Sequence, residues 1–359
     1  MKYPFIALSM FIVCAASPVS AQTSIYGLLD IGYGITNGGN AEGAPGRAGK
    51  LQQLGNARWT SRWGIKGKEA LGNGINIYFQ FESSIDPETG HNGGGFDRTA
   101  ILGLSGDFGS LQLGRQAALL DDTLSAFSIT GDPNIAAATY NAGIGSGQRY
   151  SRYDSALTYK SPDFSGFTFG VQYVTQNDLA SAGVQGAGGD KNLFALALNY
   201  SYKKLNIGAS IESKPYSGSN IAWGVGASYD FGSFIVSGGY FDSHFKEDGK
   251  GVHLGVMVPV RNWELGAQIA YNAKAYTAPE TRYAWYPTVV GGVPTGGLSY
   301  YTYQTTPKVK PLSWSLFANY DFSRLSTLYF MLNGIDSDAK RFLGAKRKYS
   351  IAAGIHRAF

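Results

Sequence analysis

The sequence predicts an all-β protein, a 16-stranded antiparallel transmembrane β-barrel over 22–359 with one long loop folded into the lumen. Three features point there. Segments of about ten residues alternate apolar and polar side chains, whereas soluble strands average about five or six residues. The connections between these segments alternate between tight and long. The composition holds 49 Gly, 24 Tyr and 20 Phe among 359 residues with only 15% charged, and mean hydropathy is still close to zero, as expected when one face of each strand is apolar and the other polar. Beyond the N-terminus no apolar run reaches the roughly 20 residues of a transmembrane helix, which excludes a helical membrane protein.

Successive side chains in a strand face opposite sides. In 74–84, Ile75, Ile77, Phe79 and Phe81 share one face, and Asn76, Tyr78, Gln80 and Glu82 the other. In 192–202, Phe194, Leu196, Leu198 and Tyr200 face one way, with Ala195, Ala197 and Asn199 opposite. The rows Trp263-Leu265-Ala267-Ile269-Tyr271 and Leu312-Trp314-Leu316-Ala318-Tyr320 repeat the pattern and end on aromatics, as girdles at two membrane interfaces do. Sixteen strands are expected, at 24–35, 57–68, 73–84, 97–105, 110–116, 152–160, 166–176, 192–202, 205–214, 220–230, 233–243, 251–259, 262–274, 312–321, 326–335 and 348–359. An even number lets both ends meet on one side. Tight turns fall at Ala70-Leu71-Gly72, Lys203-Lys204 and Val260-Arg261, among others, and belong on the periplasmic side. The long connections include 36–56, 85–96, 117–151, 177–191, 275–311 and 336–347.

Residues 1–21 read as a cleaved signal peptide: Lys2 is the positive start, Phe5 to Ala16 the apolar run and Val19-Ser20-Ala21 the small-residue site. Loss of Lys2 takes the formal charge from +5 to +4. The one cysteine, Cys14, lies inside this peptide, so 22–359 has no disulfide and no thiolate metal site. No cofactor and no nucleic-acid partner are expected. With no linker or composition break, 22–359 reads as one domain.

The segment 117–151 is the longest connection but one, carries Asp121, Asp122 and Asp132, and has little hydrophobic periodicity. Connections this long are commonly functional or disordered. It can extend into water or fold into the lumen, and the lumen is the expectation.

Ser24-Ile25-Tyr26-Gly27-Leu28-Leu29-Asp30, Ser61-Arg62-Trp63-Gly64-Ile65-Lys66-Gly67-Lys68-Glu69-Ala70-Leu71-Gly72, Phe96-Asp97-Arg98-Thr99-Ala100, Gly103 to Gln116 and the C-terminal Gly354-Ile355-His356-Arg357-Ala358-Phe359 occur in that order. Together they resemble the trimeric general-diffusion porins of Gram-negative outer membranes, most closely the β-proteobacterial type. The resemblance implies a homotrimer among outer-membrane lipid and lipopolysaccharide that passes small solutes and ions. It implies a basic cluster at Arg62, Arg98 and Arg152 facing the acids of an inserted loop, and Phe359 at barrel closure. Alternation puts Arg62 with Gly64, Lys66 and Lys68, and Arg152 with Asp154, Thr158 and Lys160, so Lys66 and Lys160 are further lumenal cations; the strand of Arg98 lacks clean alternation. Two departures lower the positive potential: Leu28 stands where some relatives carry lysine, and Asp154 where asparagine is common. The expected preference is for anions, and mild.

Arg115 groups by alternation with Leu111 and Leu113, away from the lumen, where a lipid-facing arginine is costly. The resemblance implies a trimer contact to Asp86 and Glu88 of a neighbour; a local pair within one chain is the alternative. The aromatics of 275–311, among them Tyr283, Trp285 and Tyr300, either lie over the mouth or pack that connection. Lys308, Lys310, Arg341, Lys346, Arg347 and Lys348 form a basic rim that either meets lipopolysaccharide phosphates or is solvated. A barrel hydrolase needs a positioned Ser–His pair, and none of His91, His244, His253 or His356 lies in such a motif, so no enzyme is expected. A channel preferring one class of small anions, or a barrel receptor or adhesin presenting long loops, remains as the other reading.

Overall fold

Period-two alternation is realised as a ladder that closes on itself. The strands are, in chain order, β1 (Gln22–Ile35), β2 (Leu51–Gly55), β3 (Arg62–Gly72), β4 (Ile75–Ser84), β5 (Thr99–Gly106), β6 (Gly109–Ala117), β7 (Arg152–Lys160), β8 (Phe167–Val174), β9 (Leu193–Tyr202), β10 (Leu205–Ser213) and β11 (Ile221–Asp230). They continue as β12 (Ile235–Asp242), β13 (Lys250–Val260), β14 (Trp263–Asn272), β15 (Ala275–Tyr276), β16 (Glu280–Val290), β17 (Val293–Thr305), β18 (Lys308–Val309), β19 (Leu312–Ser323), β20 (Ser326–Ile335) and β21 (Tyr349–Ala358). Helix α1 (Leu119–Ser125) follows β6, and α2 (Ser337–Phe342) lies between β20 and β21. The computed structural model describes residues 22–38, 48–130, 152–175, 192–213, 221–242, 250–273, 275–276, 280–290, 293–305 and 308–359, with backbone alone across 275–305. The expected signal peptide 1–21, Asp132, His244 and the aromatic side chains of 275–305 lie outside the described residues.

β1, β3–β14 and β19–β21 are the sixteen barrel strands, all paired antiparallel. β21 returns to β1 in the register Leu28↔Ala358 to Ile35↔Ile351. Phe359 extends the seam: its N–H donates to the Gly27 carbonyl at 3.1 Å and its carbonyl accepts the Gly27 N–H at 3.0 Å. Closure pairs the backbone groups that hydrocarbon cannot satisfy. Ile25, Leu102, Leu113, Phe194, Leu254 and Ile351 are exposed on the outer face, whereas Ala195, Ala197, Ser210, Glu212 and Gln268 are buried on the inner one.

Four expectations change. Residues 57–61 are not strand. The Asp30 carboxylate accepts the N–H groups of Arg58 (3.1 Å) and Trp59 (2.6 Å), and Asn56 has φ +60°, so the chain turns inward before β3 begins. The first tight turn is Asn73-Gly74, not Ala70-Leu71-Gly72: both residues have positive φ (50° and 75°), as a two-residue hairpin turn demands, while Ala70 to Gly72 carries a bulge in β3. Likewise Arg261-Asn262 replaces Val260-Arg261, with Arg261 at φ +56°. Finally, the connection 275–311 has its own strands, with β16 paired to β17 and β15 to β18.

Candidate functional site

After β6 the chain folds into the barrel. Ala118 and Leu119 bury against Tyr153, Ala156, Val174, Leu193, Ala195 and Ala197, and Leu120 and Leu124 of α1 against Ala222, Phe241 and Ala270. The apolar stripe of this short helix faces the wall, and its acids, Asp121 and Asp122, occupy the first turn, where the helix dipole favours negative charge. Two wall glutamines hold the described part of the segment at its ends. The Gln172 amide donates to the Ala117 carbonyl at 2.9 Å and accepts the Leu119 N–H; the Gln268 oxygen accepts the Ile129 N–H at 3.0 Å. Between them the Ser237 hydroxyl donates to the Phe127 carbonyl at 2.6 Å. Glycines make room on the wall: Gly224 lies under Leu124, Gly208 and Gly226 under Phe127, and Gly255 under Ile129. Over 117–130, then, the segment lies in the lumen.

The cations gather on the wall of β3, β4 and the chain entering β5. Arg98 Nε is 2.6 Å from Glu82 Oε1, and Arg62 Nε is 3.8 Å from Glu82 Oε2. The Tyr26 hydroxyl donates to the same carboxylate at 2.9 Å and accepts from the Gln80 amide at 2.7 Å. Lys66 Nζ stands 5.0 Å over the Tyr26 ring. Arg62 and Arg98 act on one another as like charges, so Glu82 is what lets two guanidiniums sit together. Next to Arg98, Asp97 takes the hydroxyl (2.6 Å) and N–H (2.8 Å) of Ser84. Burial works against its carboxylate, but those bonds, with Arg98, hold its pKa below the usual carboxylate range.

Glu82 is absent from the expected site. Alternation already placed it on the inner face of 74–84; the missing information was the register Gly64↔Glu82 and Glu82↔Thr99, which sets it between the two arginines. Arg58 is the other addition. It is 3% exposed, lies over the rings of Trp59 (4.6 Å) and Phe317 (4.4 Å), and donates from Nη2 to the Ile129 carbonyl at 3.3 Å.

Arg152 requires a correction of face. Gly114 pairs with Ala156 but Gln116 with Tyr153, so one extra residue is accommodated at Ser155, which has φ +50°. Downstream, Thr158 is lumenal as expected and is bonded to Gln172. Upstream the faces exchange: Tyr153 turns inward to donate to Glu212 at 2.8 Å, and Asp154 joins Arg115 on the other face. Arg152, opposite Ala117, is tied to the cluster by charge: Arg98, Glu82, Arg115 and Asp97 are the groups acting on it. Arg115 pairs with Asp154 and donates to the Asp97 carbonyl, so within one chain the local alternative is realised. Glu88 accepts the Gly55 N–H at 2.7 Å, and Asp86 the Thr89 hydroxyl at 2.7 Å. Lys160 Nζ stands 3.5 Å from Asp122, both about half exposed.

A closed membrane barrel whose lumen is narrowed by an inward segment and edged by wall charges defines a channel. A family model for Gram-negative porins matches residues 7–340. Outer membrane porin protein 32 of Delftia acidovorans is 26% identical, with 99% of this chain aligned to 95% of the relative. An outer membrane porin protein of Bordetella pertussis is 30% identical over 60% of this chain and 63% of its own length. Among solved structures, the anion-selective porin from Comamonas acidovorans superposes with a TM-score of 0.71 at 21% identity, covering 94% of this chain and all of that one. The chain belongs to the Gram-negative porin family and is an outer-membrane porin.

The glycine bed can be tested directly. A Cβ at Gly226 would lie 2.1 Å from the Phe127 ring. Gly226→Val should therefore cost about 1–3 kcal/mol of overpacking or be relieved by lifting Phe127 off the wall. The expected result is altered single-channel conductance with strand content unchanged by circular dichroism; wild-type conductance would show that Phe127 does not hold the segment.

Proposed function

We propose that this porin is a homotrimer that passes small hydrophilic solutes by passive diffusion with a mild preference for anions. Arg62 and Arg98 form the basic side of the constriction, Arg152 on the other face of β7 adds only its charge at a distance, and carboxylates of 117–151, Asp121 and Asp122 among them, form the opposing side. Two guanidiniums sharing one carboxylate carry this reading: Arg62 and Arg98 together outweigh Glu82 on a wall that faces water. Fixed charge of one sign in a narrow, low-dielectric passage raises the local concentration of the opposite ion. The fold-level likeness to the anion-selective porin from Comamonas acidovorans agrees in sign. Glu82 explains why the preference is mild. The exposed cations Arg341, Lys346, Arg347 and Lys348 at the long-loop end suit lipopolysaccharide phosphates, and the leader 1–21 suits export.

The test is a reversal potential across a planar bilayer in a potassium chloride gradient. At low salt it should carry the sign for chloride, and it should shrink as the Debye length falls from about 10 Å at 0.1 M to about 3 Å at 1 M. A potential of cation sign at low salt would overturn the anion reading.

A further inference from the structure

On the short-turn side of the arginine cluster, the inner face of β3 carries two more cations, Lys66 and Lys68, both exposed to the lumen. The strand registers build two rows across three strands. Ser24, Lys66 and Gln80 stand side by side, and Gln22, Lys68 and Tyr78 form the next row. Both rows line a recess of about 480 Å³. Among the described residues neither lysine has a carboxylate within 4 Å. Glu82, one row up, is already engaged by Arg98 and the Tyr26 hydroxyl. Lys66 is positioned over Tyr26, and Tyr78 is held by its hydroxyl, 3.1 Å from Gln112. The two lysines arise about 7 Å apart on the same face, a spacing that lets two flexible ammonium groups converge on one small anion. The neighbouring hydroxyls and amides supply neutral donors. Arg62 lies about 13 Å further along the same face, so an ion leaving the constriction reaches this recess by following β3.

We propose that this recess is a binding station for small oxyanions of two negative charges, phosphate or a short dicarboxylate, distinct from the arginine constriction. It deepens the anion-preferring reading and rests on it. Two ammonium groups without carboxylate partners hold a dianion more strongly than chloride, so the station discriminates by valence, whereas the constriction discriminates by sign.

The experiment compares currents in potassium chloride and potassium phosphate at mildly alkaline pH, with potassium succinate as a third arm. Wild-type current should saturate with phosphate activity and rise in proportion to chloride. Lys66→Gln/Lys68→Gln should abolish the saturation and lower the phosphate-to-chloride permeability ratio several-fold. Lys66→Arg/Lys68→Arg, which keeps both charges, should retain it. Lys203→Gln/Lys204→Gln removes the same charge from another short turn and should behave as wild type. Saturation in phosphate but not succinate assigns the station to phosphate, and the reverse to dicarboxylates. A wild type that saturates in neither, a Lys66→Gln/Lys68→Gln variant that still saturates, or equal loss in the Lys203/Lys204 variant would overturn the station. The chloride reversal potential of the same wild-type channels decides the anion reading separately, since it does not depend on saturation.

Discussion

Exchanging Arg62 and Arg98 together for serine is expected to change the sign of the selectivity at low salt. On the lumenal wall these two guanidiniums share the carboxylate of Glu82. Removing both leaves Glu82 with the Tyr26 hydroxyl as its partner, so the local fixed charge passes from net positive to net negative. The chloride reversal potential should cross zero toward potassium, and conductance to bulky neutral solutes should rise because two long side chains leave the wall. Glu82→Gln alone should do the opposite and strengthen the anion preference, because the same two cations then face no carboxylate there. Arg152→Ser should move the potential less, since the Ser155 bulge places Arg152 on the face opposite the inward Tyr153. All shifts should flatten in molar salt as screening tightens. If the double variant keeps the wild-type potential at low salt, the filter lies elsewhere in the channel.

Arg58→Ala should give the largest loss of stability and loosen the constriction with it. The side chain is 3% exposed and lies over the rings of Trp59 and Phe317. Its backbone and that of Trp59 are fixed by Asp30, whose carboxylate also accepts the Tyr329 hydroxyl at 2.6 Å. Burial is what pulls the Arg58 pKa down to about 10, opposed by Glu264, Asp30 and Tyr329, so the guanidinium stays charged at neutral pH. Its removal takes away a desolvated cation–π contact and a charged hydrogen bond to the Ile129 carbonyl, together about 2–4 kcal/mol. Among the described residues, Ile129 then keeps the Gln268 bond to its N–H. The expected results are a lower denaturation midpoint in detergent and more open-channel current noise. Arg58→Lys keeps the charge but not the planar stacking, and should fall between the two. A quiet channel in Arg58→Ala would show that the segment is fixed without Arg58, by the Gln172, Ser237 and Gln268 bonds.

Much of the barrel is legible in the chain because alternation is a local property. Ile75, Ile77, Phe79 and Phe81 on one face, with Asn76, Tyr78, Gln80 and Glu82 on the other, need no knowledge of neighbours, and neither does the run of strands that ends beside Phe359. Sequence was also enough to mark the segment that starts at residue 117 as turning into the lumen, as 117–130 does, and Arg62 as lumenal. The first hairpin turn was not legible: Asn73-Gly74 suits positive φ, but alternation put the turn at Ala70-Leu71-Gly72, and the pairing of β3 with β4 decided it. What only the tertiary structure decided depends on pairing between distant residues. A bulge exchanges every face upstream of it, so Tyr153 points inward and Asp154 meets Arg115, although the residues around Ser155 alternate without a break in the sequence. Asp30 captures Arg58 and Trp59 from another segment and ends what alternation reads as strand. Glu82 enters the arginine cluster because β3, β4 and β5 become neighbours in one register. Where no bulge intervenes, face follows from the sequence alone, whereas bulges and the grouping of charges follow from register, and register is settled only when the barrel closes.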